Sequence, residues 1–257
     1  KPFGLNYQVA IENRRLILIR IISEVFSRPF NPFRKKNLFH LHNVKELIDF
    51  NFRDNFKLIP HINDIYPFSI EKKYSVIFIC RLWDPSDLSE KNRDDAESIN
   101  NSRIKIVRIL KERLGQKFIG GLQRNQYSEQ VAPDLVINDT KLTSRDNYLK
   151  LVKQSEIVIA SSGLLQSIGW KFGEYVALGK AIVSEPLHNV LPGDFENGKH
   201  YMQFQDSEEC VKIVERLLSE KSIIIKLENN VSNYYWEYLE PSALMRNCLI
   251  ELIDSKN

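Results

Sequence analysis

Small and polar residues are concentrated in one stretch of the sequence, between Ser161 and Glu174. Small side chains let a ligand approach the main chain, and the N–H groups at the start of a following helix suit a diphosphate. Lys171 adds a positive charge near this helix start, and Glu174, on the same helical face, offers a carboxylate to a ribose diol. The alternative is that Lys171 and Glu174 form a simple surface pair. The residues predicted to bind a ligand here are Ser162, Gly163, Gln166, Ser167, Gly169 and Glu174.

Arg81 is a second residue whose position indicates chemistry. It follows directly after the apolar run at residues 76–80, which is typical of a strand buried on both faces of a sheet. In an open parallel sheet, ligands bind beyond the carboxyl ends of the strands, and a guanidinium group binds phosphate with two hydrogen bonds. The alternative is that Arg81 pairs with Asp84 or Asp87 and only holds its loop.

Short apolar runs alternate with longer helical patterns from residue 74 onwards. Strands are predicted at residues 76–80, 117–121, 135–137, 157–160, 181–183 and 201–204. Helices are predicted at residues 92–113, 145–153, 168–178, 207–218, 223–235 and 242–253, the first of them closed by Gly115. Such alternation predicts an α/β fold, a Rossmann-like parallel sheet with helices on both faces.

Composition limits the functional classes. The 257 residues are 43% hydrophobic and 27% charged, as in an ordinary globular protein. A net charge of +3 gives no support for nucleic-acid binding, and no apolar run reaches the roughly 18 residues needed to span a bilayer. The three cysteines, Cys80, Cys210 and Cys248, are far apart, which indicates neither a disulfide framework nor a metal site. We therefore expect a reducing compartment, the cytoplasm.

The segment at residues 174–184 carries a family resemblance. Its sequence, Glu-Tyr-Val-Ala-Leu-Gly-Lys-Ala-Ile-Val-Ser, resembles the pattern Glu-Ala-x-Ala-x-Gly-x-Pro/Ala-Val of GT-B glycosyltransferases. Residues 191–201 are similar to the stretch that follows in that family, with a proline, an acidic residue beside glycine and an aromatic strand. The order of elements from about residue 74 to residue 219 is also similar.

This resemblance implies a site for a nucleotide-sugar donor. Glu174 would bind the ribose. Apart from the resemblance, Glu185 is predicted to contact the donor sugar because it follows the strand predicted at residues 181–183. Arg81 and Lys171 would stabilise the leaving diphosphate, because negative charge develops on that group in the transition state. No metal cofactor is expected, since GT-B enzymes usually need none and the sequence has no Asp-x-Asp motif.

Two positions depart from the family pattern. Many retaining members carry a Glu-x7-Glu motif, but here Gln166 stands at the first position and cannot act as an anionic nucleophile or base. Ser86 stands where the family's Arg-x4-Lys pair has its lysine, and we hypothesise that Lys171 supplies that charge. The choice between retaining and inverting transfer is therefore left open, as are the sugar, the base and the acceptor.

Three regions are predicted along the chain. Residues 1–73 are predicted to be an acceptor-side region that is reduced or incomplete, and residues 74–235 the Rossmann-like nucleotide-sugar-binding domain. Residues 236–257 are predicted to form a C-terminal helix that packs back toward the N-terminal region. The basic and aromatic stretch from Arg28 to Lys36 is either a peripheral contact with anionic membrane lipid or a solvated loop.

The sequence thus predicts a glycosyltransferase that moves a sugar from a nucleotide-sugar donor to a glycan or lipid-linked acceptor. Its place in bacterial surface polysaccharide biosynthesis rests on family analogy. The alternative is a non-catalytic nucleotide-binding or scaffold domain of the same fold, which the glutamine at position 166 and the short N-terminal region favour. A Rossmann oxidoreductase is disfavoured, because Arg81-Leu82-Trp83 stands where the GxGxxG fingerprint would follow the first strand.

Overall fold

The computed structural model describes residues 71–254, without the side chains of Thr140 and residues 251–254. The predictions for residues 1–70, including the stretch from Arg28 to Lys36, lie outside the described residues. Within the described part, five strands form one parallel sheet: β1 (Tyr74–Cys80), β2 (Phe118–Leu122), β3 (Ser155–Ala160), β4 (Ala181–Ser184) and β5 (Tyr201–Gln203). The strand order is β2-β1-β3-β4-β5. This confirms the predicted α/β fold, a Rossmann-like sheet with helices on both faces.

Seven α-helices connect and follow these strands in the described part of the chain. They are α1 (Glu90–Leu114), α2 (Gln126–Val131), α3 (Arg145–Gln154), α4 (Trp170–Ala177), α5 (Ser207–Ser219), α6 (Lys221–Tyr234) and α7 (Pro241–Asp254). A π-helical turn, Tyr235–Leu239, joins α6 to α7. Gly115 ends α1 with a φ of 51°, a conformation that glycine adopts without strain, as predicted for a C-cap.

The main core lies where α1 and α5 pack against one face of the sheet and against each other. Alternate residues of β1, Val76, Phe78 and Cys80, contribute to it, because successive side chains of a strand point to opposite faces. Burial of each large apolar side chain contributes roughly 1.5–3 kcal/mol. This packing fixes α1 firmly, and α1 supplies most of the polar contacts described below.

One predicted strand is wrong. Residues 133–135 form a 3-10 helix, and Val136 makes only an isolated bridge to Leu122. The apolar run at residues 135–137 is buried, and the N–H of Ile137 donates to the carbonyl oxygen of Leu122 at 2.9 Å. The run therefore reflects burial beside β2 rather than a sixth strand.

A short helix, α2, was not predicted from the apolar pattern. It begins with a capping box, in which the side chain of Asn125 accepts from the N–H of Ser128 and the hydroxyl of Ser128 accepts from the N–H of Asn125. Such reciprocal capping satisfies N–H groups that have no partner within the helix.

Candidate functional site

The sheet has a switch point between β1 and β3. From β1 the chain crosses to β2 on one side, and β3 lies on the other side of β1. Ligands of open α/β sheets bind in the crevice outside the carboxyl ends of strands at such a point. The β1–α1 loop (residues 81–89) and the β3–α4 loop (residues 161–169) follow these two ends. The two sequence segments that were singled out for chemistry are therefore neighbours in space.

Arg103, a residue of α1, joins these two loops. Its guanidinium donates to the carbonyl oxygen of Arg81 at 2.5 Å, to the hydroxyl of Ser161 at 3.0 Å and to the carbonyl oxygen of Ser162 at 2.9 Å. The side chain is buried, and burial lowers the pKa of Arg103, although arginine stays charged in proteins. A buried positive charge thus lies directly beneath the switch point.

Asn100 fixes the β1–α1 loop in a similar way. Its side-chain amide accepts from the N–H of Trp83 at 2.9 Å and donates to the carbonyl oxygen of the same residue at 2.7 Å. Neither Asn100 nor Arg103 was predicted from the sequence. Both lie on the apolar stripe of α1, with Ile99 and Ile106, and this interruption of the stripe by polar residues is the sequence signal that could have identified them.

Glu185, which follows β4, holds the β3–α4 loop from another side. One carboxylate oxygen accepts from the N–H of Ser162 at 2.7 Å, and the other accepts from the hydroxyl of Ser102 at 2.9 Å. In this arrangement the N–H of Ser162 is already used within the protein. The predicted contact of Glu185 with a donor sugar stays a prediction, and its observed contacts shape the loop.

The β3–α4 loop has an unusual main-chain course. Leu165 and Gln166 both have positive φ values, 56° and 57°, which non-glycine residues rarely adopt. The carboxylate of Asp95 accepts from the N–H of Leu165 at 2.7 Å and supports this conformation. Strain of this kind, of the order of 1–3 kcal/mol per residue, persists where the surroundings enforce it, and such sites are often functional.

The beginning of this loop is closely packed at Gly163. The N–H of Gly163 donates to the carbonyl oxygen of Ser167 at 2.8 Å, and a Cβ atom on Gly163 would lie 2.5 Å from the hydroxyl oxygen of Ser167. At Gly169, by contrast, a Cβ atom would have no neighbour within 4 Å among the described residues. Within the described part of the chain, space is therefore open above the start of α4.

The N-terminus of α4 borders this open space. Gly169 is the N-cap residue, and no side chain caps the helix. Helix N–H groups without an internal partner attract anions, and the helix dipole adds to this effect. Gln166, Ser167 and Gly169 are exposed along this rim.

Lys171 lies below the rim, partly buried. Its amine donates to the carbonyl oxygen of Ile79 at 2.5 Å and lies 4.6 Å from the centre of the Tyr148 ring. Burial lowers the pKa of Lys171 to about 8. The amine is therefore mostly protonated at neutral pH, at the carboxyl end of β1.

Glu174 is buried, with an exposed fraction of 1%. One of its carboxylate oxygens accepts from the guanidinium of Arg145, and the other, Oε2, has no hydrogen-bond partner among the described residues. The surface pair with Lys171, considered as an alternative from the sequence, is therefore not formed. A carboxylate oxygen without a partner is a strong acceptor, as a ribose hydroxyl would require.

Arg81 is exposed at the carboxyl end of β1, with its guanidinium 6.0 Å from the centre of the Trp83 ring. Among the described residues it forms no ion pair with Asp84 or Asp87. Asp84 instead accepts from the N–H and the hydroxyl of Ser86, at 2.9 and 2.7 Å. The charge of Arg81 is therefore available to a ligand at the edge of the crevice.

The structure thus brings together the sequence-predicted residues around the switch point, in two layers. Ser162, Gly163, Gln166, Ser167 and Gly169 form the loop and rim, while Lys171 and Glu174 lie below. Neither Arg103 nor Lys171 forms an ion pair with a described residue, so both favour an anion in the crevice. In the described part of the chain, no group of three or more His, Cys, Asp or Glu side chains could hold a metal ion.

No helix between residues 71 and 254 combines the length and the apolar character needed to cross a bilayer.

Comparison with known proteins identifies the fold. Neither protein-family models nor curated proteins match this sequence. The structure is similar to that of HepE from Anabaena, determined in complex with UDP and glucose, with a TM-score of 0.50 and 13% sequence identity. The match covers 76% of this chain and 55% of HepE, so the chain spans about half of that relative's length.

Two further structures are similar to this chain. The C-terminal domain of the glycosyl transferase group 1 family protein LpcC from Francisella tularensis gives a TM-score of 0.47 at 11% identity, over 70% of this chain and 97% of that domain. TarM gives a TM-score of 0.44 at 13% identity, over 70% of this chain and 35% of TarM. The chain has the Rossmann-like fold of GT-B glycosyltransferase domains, as the sequence predicted.

Proposed function

We propose that the protein is a glycosyltransferase that moves a sugar from a nucleotide-sugar donor to a glycan or lipid-linked acceptor. One arrangement carries this proposal. At the switch point, the unpartnered oxygen of Glu174 and the cations Arg103 and Lys171 lie together beneath an uncapped helix start. A nucleoside diphosphate needs both kinds of group, an acceptor for its ribose hydroxyls and positive charge for its phosphates.

In this proposal each predicted residue has a defined role. Glu174 accepts hydrogen bonds from the ribose, while the β3–α4 loop and the start of α4 face the diphosphate. Arg81 and Lys171 stabilise the negative charge that develops on the leaving diphosphate, and Arg103 adds a buried charge beneath them. Fixed cations of this kind support our proposal of transfer without a metal ion.

The biological setting is also a proposal. HepE was crystallised with UDP and glucose, which supports a nucleotide-sugar donor for a domain of this fold. We propose a cytoplasmic role in bacterial surface polysaccharide biosynthesis, with peripheral membrane contact through the basic residues from Arg28 to Lys36. The polysaccharide role rests on family resemblance, and the membrane contact on the sequence alone.

A thermal-shift panel of UDP-, GDP- and ADP-sugars tests the donor site. At a ligand concentration of about 100 times Kd, binding adds about 2.7 kcal/mol to the free energy of unfolding, which corresponds to a rise in Tm of roughly 5–10 °C. We expect at least one nucleotide sugar to give this rise and Glu174→Ala to abolish it. Glu215→Ala, at an exposed ion pair of α5, is the matched control and should keep the rise.

Absence of a shift with every nucleotide sugar would contradict the donor site. Turnover of the bound donor then separates a transferase from the non-catalytic alternative. Release of the free nucleoside diphosphate, measured with acceptor extracts, supports transfer. Tight donor binding with no release under any acceptor condition would favour a nucleotide-binding or scaffold domain.

A further inference from the structure

Helix α3 holds α4 through two polar contacts. Arg145 and Tyr148 lie one turn apart on α3, and Glu174 and Tyr175 are adjacent on α4. The guanidinium of Arg145 donates to Glu174, and the hydroxyl groups of Tyr148 and Tyr175 lie 2.5 Å apart. All four side chains are buried or nearly so; the most exposed, Arg145, has 23% of its side chain accessible.

The pairing with Arg145 is asymmetric. It occupies one carboxylate oxygen of Glu174 and leaves Oε2 without a hydrogen bond from any described residue, although the carboxylate is almost fully buried. A buried carboxylate used only for stability would be expected to have both oxygens satisfied. The guanidinium of Arg145 fixes the orientation of the carboxylate, so that the remaining oxygen is positioned for a ligand hydroxyl.

We propose that Arg145 is a positioning residue for nucleotide binding, because it fixes Glu174 so that Oε2 accepts a hydrogen bond from the ribose of a nucleoside diphosphate. This inference rests on the proposed function. Arg145 acts through Glu174, and neither sequence pattern nor family resemblance selects it. The contact between Tyr148 and Tyr175 keeps the two helices in register beside this pair.

The test measures how strongly binding depends on the ribose hydroxyls. UDP, GDP and ADP are titrated into the full chain by calorimetry, and the one that binds is compared with its 2′,3′-dideoxy form. A hydrogen bond to a charged group corresponds to about a tenfold or greater change in affinity, so we expect the wild type to prefer the ribose form by about tenfold or more. Glu174→Ala should bring this ratio close to one.

Arg145→Gln should reduce the ratio to about threefold or less, since Glu174 loses its fixed orientation. The control Arg113→Gln removes an exposed arginine that pairs with Glu208 and Glu215, and should keep the wild-type ratio. A purely structural role for Arg145 would lower thermal stability but would leave the ratio unchanged. If Arg145→Gln does not fold, Arg145→Lys retains a cation and should still lower the ratio about twofold or more, because an amine cannot reproduce the planar guanidinium contact.

The outcomes separate the two proposals. An unchanged ratio in the folded Arg145 variant overturns the positioning role while nucleotide binding stands. A wild type that binds UDP, GDP or ADP with no preference for the ribose form overturns the role of both Glu174 and Arg145. A wild type that binds none of the three diphosphates overturns the proposed function itself, and this inference with it.

Discussion

Two lysines lie at opposite edges of the sheet and differ in their surroundings. Lys171 donates to the carbonyl oxygen of Ile79, at the carboxyl end of β1, and Lys180 donates to that of Ser155, at the amino end of β3. Burial lowers the pKa of both amines. A buried lysine alone therefore does not mark a functional site in this molecule.

The difference lies in the neighbouring charges. Lys180 lies 3.9 Å from the carboxylate of Glu228, which also pairs with Lys72 at 3.2 Å. Lys171 has no ion pair within the described residues, and the nearby Arg103 has none either. At the amino edge a carboxylate at ion-pair distance compensates the charge. At the carboxyl edge Glu174 and Glu185 act on the two cations without forming ion pairs, so the cations are more available to an incoming anion.

The largest effect is expected for Arg103→Met. It leaves the carbonyl oxygens of Arg81 and Ser162 without their donor, so the free energy of unfolding should fall by about 3 kcal/mol. Without Arg103 the β1–α1 and β3–α4 loops should be displaced, which should weaken nucleotide binding by on the order of a hundredfold. Urea unfolding and calorimetry measure the two quantities. The control is Arg108→Met, on the same helix as Arg103, which removes an exposed ion pair with Asp134. It should lower the free energy of unfolding by less than about 0.5 kcal/mol. Equal losses of stability in both variants would contradict a special role for Arg103.

A second pair of variants tests the comparison of the two edges directly. Lys171→Met should weaken binding of the nucleoside diphosphate by roughly tenfold to thirtyfold, because a charge-assisted contact is lost. Lys180→Met should leave the affinity within about twofold of the wild-type value, since Lys180 is distant from the crevice and distant sites act independently. Titration calorimetry at neutral pH decides between them. Similar losses in the two variants would show that the edges are not functionally different.

A smaller effect is expected from pH. The pKa of Lys171 is about 8 in the free protein, and the charged amine is the form that favours a diphosphate. Above this pKa the free protein loses the proton and must take it up again on binding, so affinity falls as pH rises; it should be about fourfold weaker at about pH 8.5 than at about pH 7. Lys171→Met should flatten this dependence. An unchanged slope in the variant would assign the pH dependence to another group.

Periodicity in the sequence was sufficient for the sheet but not for every element. The strands β1 to β5 were found because short apolar runs alternate with helical patterns. Residues 135–137 were wrongly predicted as a strand, since an apolar run reports burial and does not distinguish a strand from other buried chain. The six residues of α2 are too few for a periodic signal, and only the capping pair Asn125 and Ser128 indicates it.

The candidate site was predicted from the strand ends, but the residues that hold its loops and Glu174 in place were not. Arg81 and the β3–α4 loop follow from the rule that ligands bind beyond the carboxyl ends of parallel strands. Arg103 was missed because its partners, Arg81 and Ser161, are 22 and 58 positions away in the sequence. Arg145 was missed for the same reason, since 29 positions separate it from Glu174. Contacts over such separations depend on tertiary packing, which local patterns do not contain.

The position of Arg103 and its polar neighbours on α1 has a consequence for cooperativity. Arg103, which contacts both loops, belongs to a helix whose apolar side is part of the main core. Opening either loop therefore breaks hydrogen bonds to side chains that the packing of α1 holds in place. The crevice is thus preorganised: most of the conformational entropy of ordering it is lost when the domain folds, and little remains to be lost when a ligand arrives.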